Sequence, residues 1–280
     1  MSQNPLIAAY KKPALYISLP SGGKYYEPKL KLSVDGELAV YAMTARDELI
    51  TKTPDALFNG EATMALIESC CPDITDPRQV PVNDLLVILL AIRQASYGDS
   101  LDVDMTCPQC EHLNMLTINT SNMLSKAKSI DIEDTITLDN GFIVKVKPFN
   151  IEDRTLLQIQ QVKQQKLLNS LSGQSTMDEE EFAKKYGEVF VELADLTVKL
   201  ITNCIRSVKS NIESESISER DTISEWLQSI SKKDYDLIRD KVEDLSDNGL
   251  DTKAKATCQE CKHQWETEIE LDVANFFEGS

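Results

Sequence analysis

The chain has 280 residues, 41% hydrophobic and 27% charged, enough apolar material for one large domain or two smaller ones. Its net charge of −17 disfavours nucleic acid, whose binding rests on Lys and Arg displacing counterions, and equally disfavours anionic lipid surfaces. The longest fully apolar run, Leu85 to Ile92, is far short of the roughly 20 residues that span a bilayer. Met1 to Tyr16 also lacks the charged start and apolar core of a secretion signal, so a soluble protein retained where it is made is expected.

In chain order, residues 1–43 read as an extended N-terminal arm or hairpin. Apolar and small residues alternate from Pro13 to Pro20, a turn follows at Ser21 to Gly23, and Leu30, Leu32 and Val34 alternate again. Residues 44–100 read as a helical core. Thr44 with Asp47 forms a capping-box start, and Val82 to Ala95 is apolar on nearly every side, with Gly98 as its stop. Residues 101–149 read as a β-rich half, with alternation at Leu101, Val103 and Met105 and again after Met115. Two further runs from Ile130 to Val146 flank Asn140 and Gly141, a strong hairpin signal.

Residues 150–250 read as an inserted helical domain. Leu156, Ile159 and Val162 form one stripe, and Val189, Leu193, Leu196 and Leu200 form another, predicting an antiparallel helical hairpin joined near Ser170 to Thr176. Ser218 with Asp221 and Ser231 with Asp234 mark two further helix starts, and Asp178 to Glu181 reads as an acidic first helical turn. Residues 251–280 return to strand alternation. The fold class expected is α+β, mostly helical, with a small β-rich ribbon and an extended arm.

The cysteines carry the clearest chemistry. Thr106 to His112 and Thr257 to His263 share the frame Thr-Cys-x-x-Cys-x-His, each with alternating residues on both sides. Two residues between cysteines allow a tight turn that aims both thiolates at one cation, and zinc takes four such ligands in a tetrahedron. Cys107, Cys110, Cys258 and Cys261 are therefore expected to close one structural zinc site, although 147 residues lie between Cys110 and Cys258. Zinc would then clamp the two ends of a long excursion. A redox CxxC needs one copy opening a helix, and neither copy opens one. Separate sites completed by His112 and His263 would each be one ligand short, and four thiolates leave no open position for catalysis. Cys70, Cys71 and Cys204 lie in apolar helical contexts and read as small buried hydrophobes. No nucleophile elbow, Walker loop or HExxH is present, so a non-enzymatic protein is expected.

Several stretches resemble a known family. Leu19 to Tyr26 (LPSGGKYY), Thr44 to Glu48 (TARDE), Ala91 to Gly98 (AIRQASYG) and the knuckle at Cys107 are similar, in that order, to motifs of the T4-type phage baseplate family, which includes hub assembly proteins. Trp226 to Val242 and the ending from His263 to Phe277 are similar to its larger zinc-bearing members. The resemblance implies a myophage tail protein with other baseplate, hub or tail proteins as partners. It would act in the host cytoplasm during assembly, or be retained in the virion tail. An arm with exposed Tyr25 and Tyr26 suits exchange with a neighbour, so these two are the candidate partner-binding residues. The alternative is a zinc-ribbon module associated with nucleic acid or transcription. Against it stand the acidity and the few basic residues near the knuckles, Lys253, Lys255 and Lys262.

Overall fold

A computed structural model describes residues 12–52, 60–127, 129, 133–172, 179–210, 215–247, 249–250 and 252–268. The chain divides into two compact units, one made of residues 1–130 with 248–280, the other of Asp131–Asp247. Among the described residues helices outweigh strands and every sheet is antiparallel, so the class is α+β. No helix among the described residues is long and apolar enough to cross a membrane.

The first unit opens with β1 (Leu15–Ile17) and β2 (Leu38–Val40), which pair antiparallel. The second strand expected near Leu30 to Val34 does not form. Leu30 is instead buried outside any strand, and Val34 sits fully exposed at a turn tip. Nor is this segment a free arm, since Ile17, Leu19, Tyr25, Tyr26, Leu38 and Val40 are all buried. Helix α1 (Ala45–Thr51) starts at the capping box expected, with Thr44 and Asp47 satisfying each other's backbone amides. Asp47 also accepts from the Ser69 hydroxyl at 3.0 Å, tying α1 to α2 (Glu61–Cys70).

Helix α3 (Val82–Tyr97) is the centre of this unit, as its all-round apolar sequence predicts. It touches β1, β2, α2 and the short helix that follows the first hairpin. Val87, Ile88, Leu90, Ala91 and Ile92 are almost wholly buried, and Gly98 stops the helix at φ 88°. Strands β3 (Ser100–Thr106) and β4 (Leu113–Asn119) form a seven-residue hairpin. A helix not foreseen in this region, α4 (Thr120–Ser125), begins where the Asn119 side chain accepts the Asn122 amide at 2.8 Å.

The second unit starts with β5 (Thr135–Thr137) and β6 (Ile143–Val146), the hairpin expected around Asn140 and Gly141, with Gly141 at φ 83°. Ile130 lies outside the described residues. Helix α5 (Ile151–Ser172) and helix α6 (Glu179–Cys204) contact each other. Leu200 is buried and Leu193 and Leu196 half-buried, but Ile159 and Val162 stay exposed, so the first predicted stripe is covered only near Leu156. The Val189 side chain and the connection at 173–178 lie outside the described residues.

Helix α6 runs directly into β7 (Ile205–Lys209), which joins β6 and β8 (Ser216–Ile217) in a four-stranded sheet of order β5-β6-β7-β8. Arg220 donates to the carbonyls of Thr202 and Ile205 at 2.7 and 2.6 Å, satisfying groups that the helix end leaves open. Helix α7 (Arg220–Ser229) starts at Glu219 without a side-chain cap, one residue later than the Ser218 start expected. Helix α8 (Lys232–Asp247) does begin at Ser231, whose hydroxyl accepts the Asp234 amide at 3.1 Å. Val144, Val146, Ile201, Ile205, Ile223, Ile238, Val242 and Leu245 fill the core of this unit.

The chain then re-enters the first unit as β9 (Lys253–Thr257) and β10 (Gln264–Glu268), a second antiparallel hairpin. It shares no strand pairing with the first hairpin among the described residues.

Candidate metal centre

Each CxxC is the tip of a two-stranded hairpin. In the first, the Cys107 amide donates to the His112 carbonyl at 2.9 Å, and the Glu111 amide donates back to the Cys107 carbonyl at 2.9 Å. In the second, Cys258 donates to His263 at 2.8 Å and Lys262 to Cys258 at 3.2 Å. Glu111 and Lys262, at matching places in the frame, both adopt left-handed backbone at φ 58° and 61°. The shared sequence frame therefore folds into the same turn twice. The left-handed residue reverses the chain just past the second cysteine, which keeps the two sulfurs of each turn on one side.

The two tips meet. Cys107 Sγ lies 3.7 Å from Cys261 Sγ, Cys110 Sγ lies 3.6 Å from Cys258 Sγ, and all four sulfurs fall within 4.8 Å of one another. A disulfide requires about 2.05 Å, so these are not bonded pairs. A tetrahedron with metal–sulfur bonds of about 2.3 Å has sulfurs about 3.8 Å apart. The donor set and its spacing thus fit a four-thiolate ion, and soft thiolates suit zinc over hard cations. Cys107 and Cys258 are buried while Cys110 and Cys261 are exposed, so each turn contributes one inner and one outer sulfur.

The field at the sulfurs is uneven. Burial raises the Cys258 thiol, but the amides of Cys261 and Glu260 and the neighbouring thiols outweigh it and lower the group to about 6. At Cys110 the His112 amide works the same way, yet the adjoining sulfurs, Cys261 first, push that thiol up to about 12. Four sulfurs this close cannot all ionise alone, and a divalent cation is what lets their protons leave.

One residue joins the two tips directly. Asn114 on β4 is buried, donates from Nδ2 to the His112 carbonyl at 2.9 Å, and accepts the Gln259 amide at Oδ1 at 2.8 Å. It sets the first turn and grips the second across 145 residues of sequence. Asn114 has no counterpart in the repeated frame, since the matching position in the second hairpin is Trp265. The available signal is its place on the inward face of β4 with Leu116 and Ile118, where a polar side chain needs partners. The histidines do not join the sulfurs: the His112 side chain is exposed, and His263 stacks on Trp265 with ring centres 6.1 Å apart.

Tyr25 and Tyr26 are only 7% and 6% exposed, which corrects the expectation of rings offered to a neighbour. Tyr26 donates its hydroxyl to Asp84 at 2.9 Å, and the amide of Ser21 donates to the same carboxylate at 2.8 Å, with the Ser21 hydroxyl alongside. The segment Leu19 to Tyr26 is thus a socket for the buried Asp84 of α3. Burial pushes Asp84 up to about 6, against the lowering effect of these three hydrogen bonds. Cys70, Cys71 and Cys204 are buried, and burial raises each thiol, Cys70 to about 12. They pack as small buried groups, as their apolar contexts predict.

A family model described as T4 bacteriophage base plate protein matches residues 16–278. No curated protein and no solved structure matches the chain.

Proposed function

The chain belongs to the T4 bacteriophage base plate protein family, and from that premise we propose that it serves the central hub of the baseplate, as a structural component or an assembly factor. It works through protein–protein contacts and catalyses nothing. One structural zinc ion, held by Cys107, Cys110, Cys258 and Cys261, closes the base of the excursion at residues 131–247. The zinc supplies cross-linking free energy, about 10 to 16 kcal/mol in peptide systems, which is comparable with the stability of a whole domain. Asn114 and the knuckle amides orient the sulfurs.

The reading is carried by the family match along nearly the whole chain. The sulfur cluster supports the zinc clamp, because residues so distant in sequence meet at metal-ligand spacing. Partners are other baseplate, hub or tail proteins, met in the host cytoplasm during assembly.

Quantitative peptide counting of purified virions tests the role. Presence at a fixed ratio to other tail proteins makes the chain a component of the finished baseplate. Absence, together with co-purification with hub proteins from infected cells, makes it an assembly factor. Finding it in neither place refutes the proposal. For the metal, elemental analysis should give one zinc per chain, lost in both Cys107→Ser and Cys258→Ser. Full zinc retention by either variant refutes the shared site.

A further inference from the structure

The two knuckle hairpins have the same turns but opposite outward faces. On the second hairpin that face carries Lys253, Lys255 and Thr257 opposite Glu268, Glu266 and Gln264. It is a polar surface with charges of both signs, Lys255 and Glu266 being paired at 3.5 Å. At the matching positions the first hairpin carries Asp102, Asp104 and Thr106 opposite Thr117, Met115 and Leu113. Leu113 is 60% exposed and Met115 61% exposed, and the carboxylates beside them are exposed too.

Asp102 accepts from Thr117 Oγ1 at 2.6 Å and acts on the charge of Arg93, whereas Asp104 makes no ion pair among the described residues. Two neighbouring apolar side chains on one exposed sheet face, bordered by carboxylates, form an anchor with a charge rim. The rim selects the occupant. Anionic lipid and nucleic acid are repelled by the aspartates and by the net charge of −17. A second copy would oppose carboxylate to carboxylate.

We infer that the outward face of the β3–β4 hairpin, Leu113 and Met115 with Asp102 and Asp104, docks a basic segment of another tail protein through an apolar anchor flanked by Lys or Arg. The inference rests on the baseplate reading. Leu113 and Met115 supply the desolvated centre, and the two aspartates supply register and partner choice. The second hairpin, polar throughout this face and with Lys255 paired to Glu266, offers no apolar anchor and keeps the same turn for the metal.

The test places p-benzoylphenylalanine at Met115, or at Glu266 as the matching control, in phage-infected cells. Cross-linked peptides are then mapped in assembled tails and in assembly intermediates. The Met115 probe should give a product with another tail protein, at a Lys- or Arg-containing segment, about tenfold above Glu266, the factor expected from one anchor contact. Adding Asp102→Lys and Asp104→Lys should cut that yield about tenfold while zinc content and circular dichroism stay unchanged. Equal yields at the two positions overturn the inference. So does a product with a second copy, with residues 269–280 of the same chain, or with an acidic segment. If the chain enters assembly but Met115 stays silent, the docking face alone fails. If the chain takes no part in tail assembly, the baseplate reading fails and the docking face with it.

Discussion

Replacing Asn114 with alanine removes the direct tie between the two cysteine turns without touching a sulfur. Two hydrogen bonds are lost, to the His112 carbonyl at 2.9 Å and from the Gln259 amide at 2.8 Å, each worth about 1 kcal/mol net. The His112 carbonyl keeps the Cys107 amide at 2.9 Å, so only the Gln259 amide is left without its partner. The cost is then about 1 to 2 kcal/mol. Because the tie pre-arranges the sulfurs, that cost falls on zinc binding and weakens it about tenfold, at the low end for groups that orient metal ligands. Asn114→Asp should weaken it at least as much, since the carboxylate keeps the Gln259 bond, loses the His112 bond, and adds negative charge beside four thiolates. Competition against a chromophoric zinc chelator measures this directly, with Thr117→Ala, on the outward face of the same strand, as control. Zinc affinity in Asn114→Ala equal to that of the control would show that the knuckles find each other without Asn114, and the reasoning would fail.

Three further predictions concern stability. The carboxyl of Asp84 sits at about 6 when folded, and near 4 in an unfolded chain. Its contribution is therefore fully present below about pH 4 and is lost as the pH rises through about 6, a swing of about 3 kcal/mol. Asp84→Asn should flatten that part of the stability profile in denaturant titrations, and an unchanged slope would refute the assignment. Glu111→Gly should stabilise the metal-loaded chain by up to about 1 kcal/mol, because glycine tolerates φ 58°, whereas Glu111→Val should lower its melting temperature. Arg220→Met leaves the carbonyls of Thr202 and Ile205 without their cation, and should cost about 1 to 3 kcal/mol, read from chemical denaturation.

Much of the local structure was legible in the sequence because its causes are local. The Thr44–Asp47 capping box, the all-round apolar α3, the Asn140–Gly141 hairpin and the repeated cysteine frame each depend on residues within a few positions of one another. The misreadings have the opposite character. Leu30 and Val34 alternate like a strand, but β1 already pairs with β2, and their remaining contacts decide burial for one and exposure for the other. Tyr26 reads as a sticky surface ring until the fold places Asp84, 58 residues later, against its hydroxyl.

The four cysteines divide along the same line. The sequence by itself determined two identical turns, each able to aim two thiolates, because a CxxC and its reversal need only seven consecutive residues. Only the tertiary structure decided that the turns face each other at metal-ligand distance, with Asn114 joining them and with one hairpin face left apolar and acidic. Pattern carries what neighbouring residues impose on one another. Where two such segments meet depends on the packing of the chain between them, which no short stretch encodes.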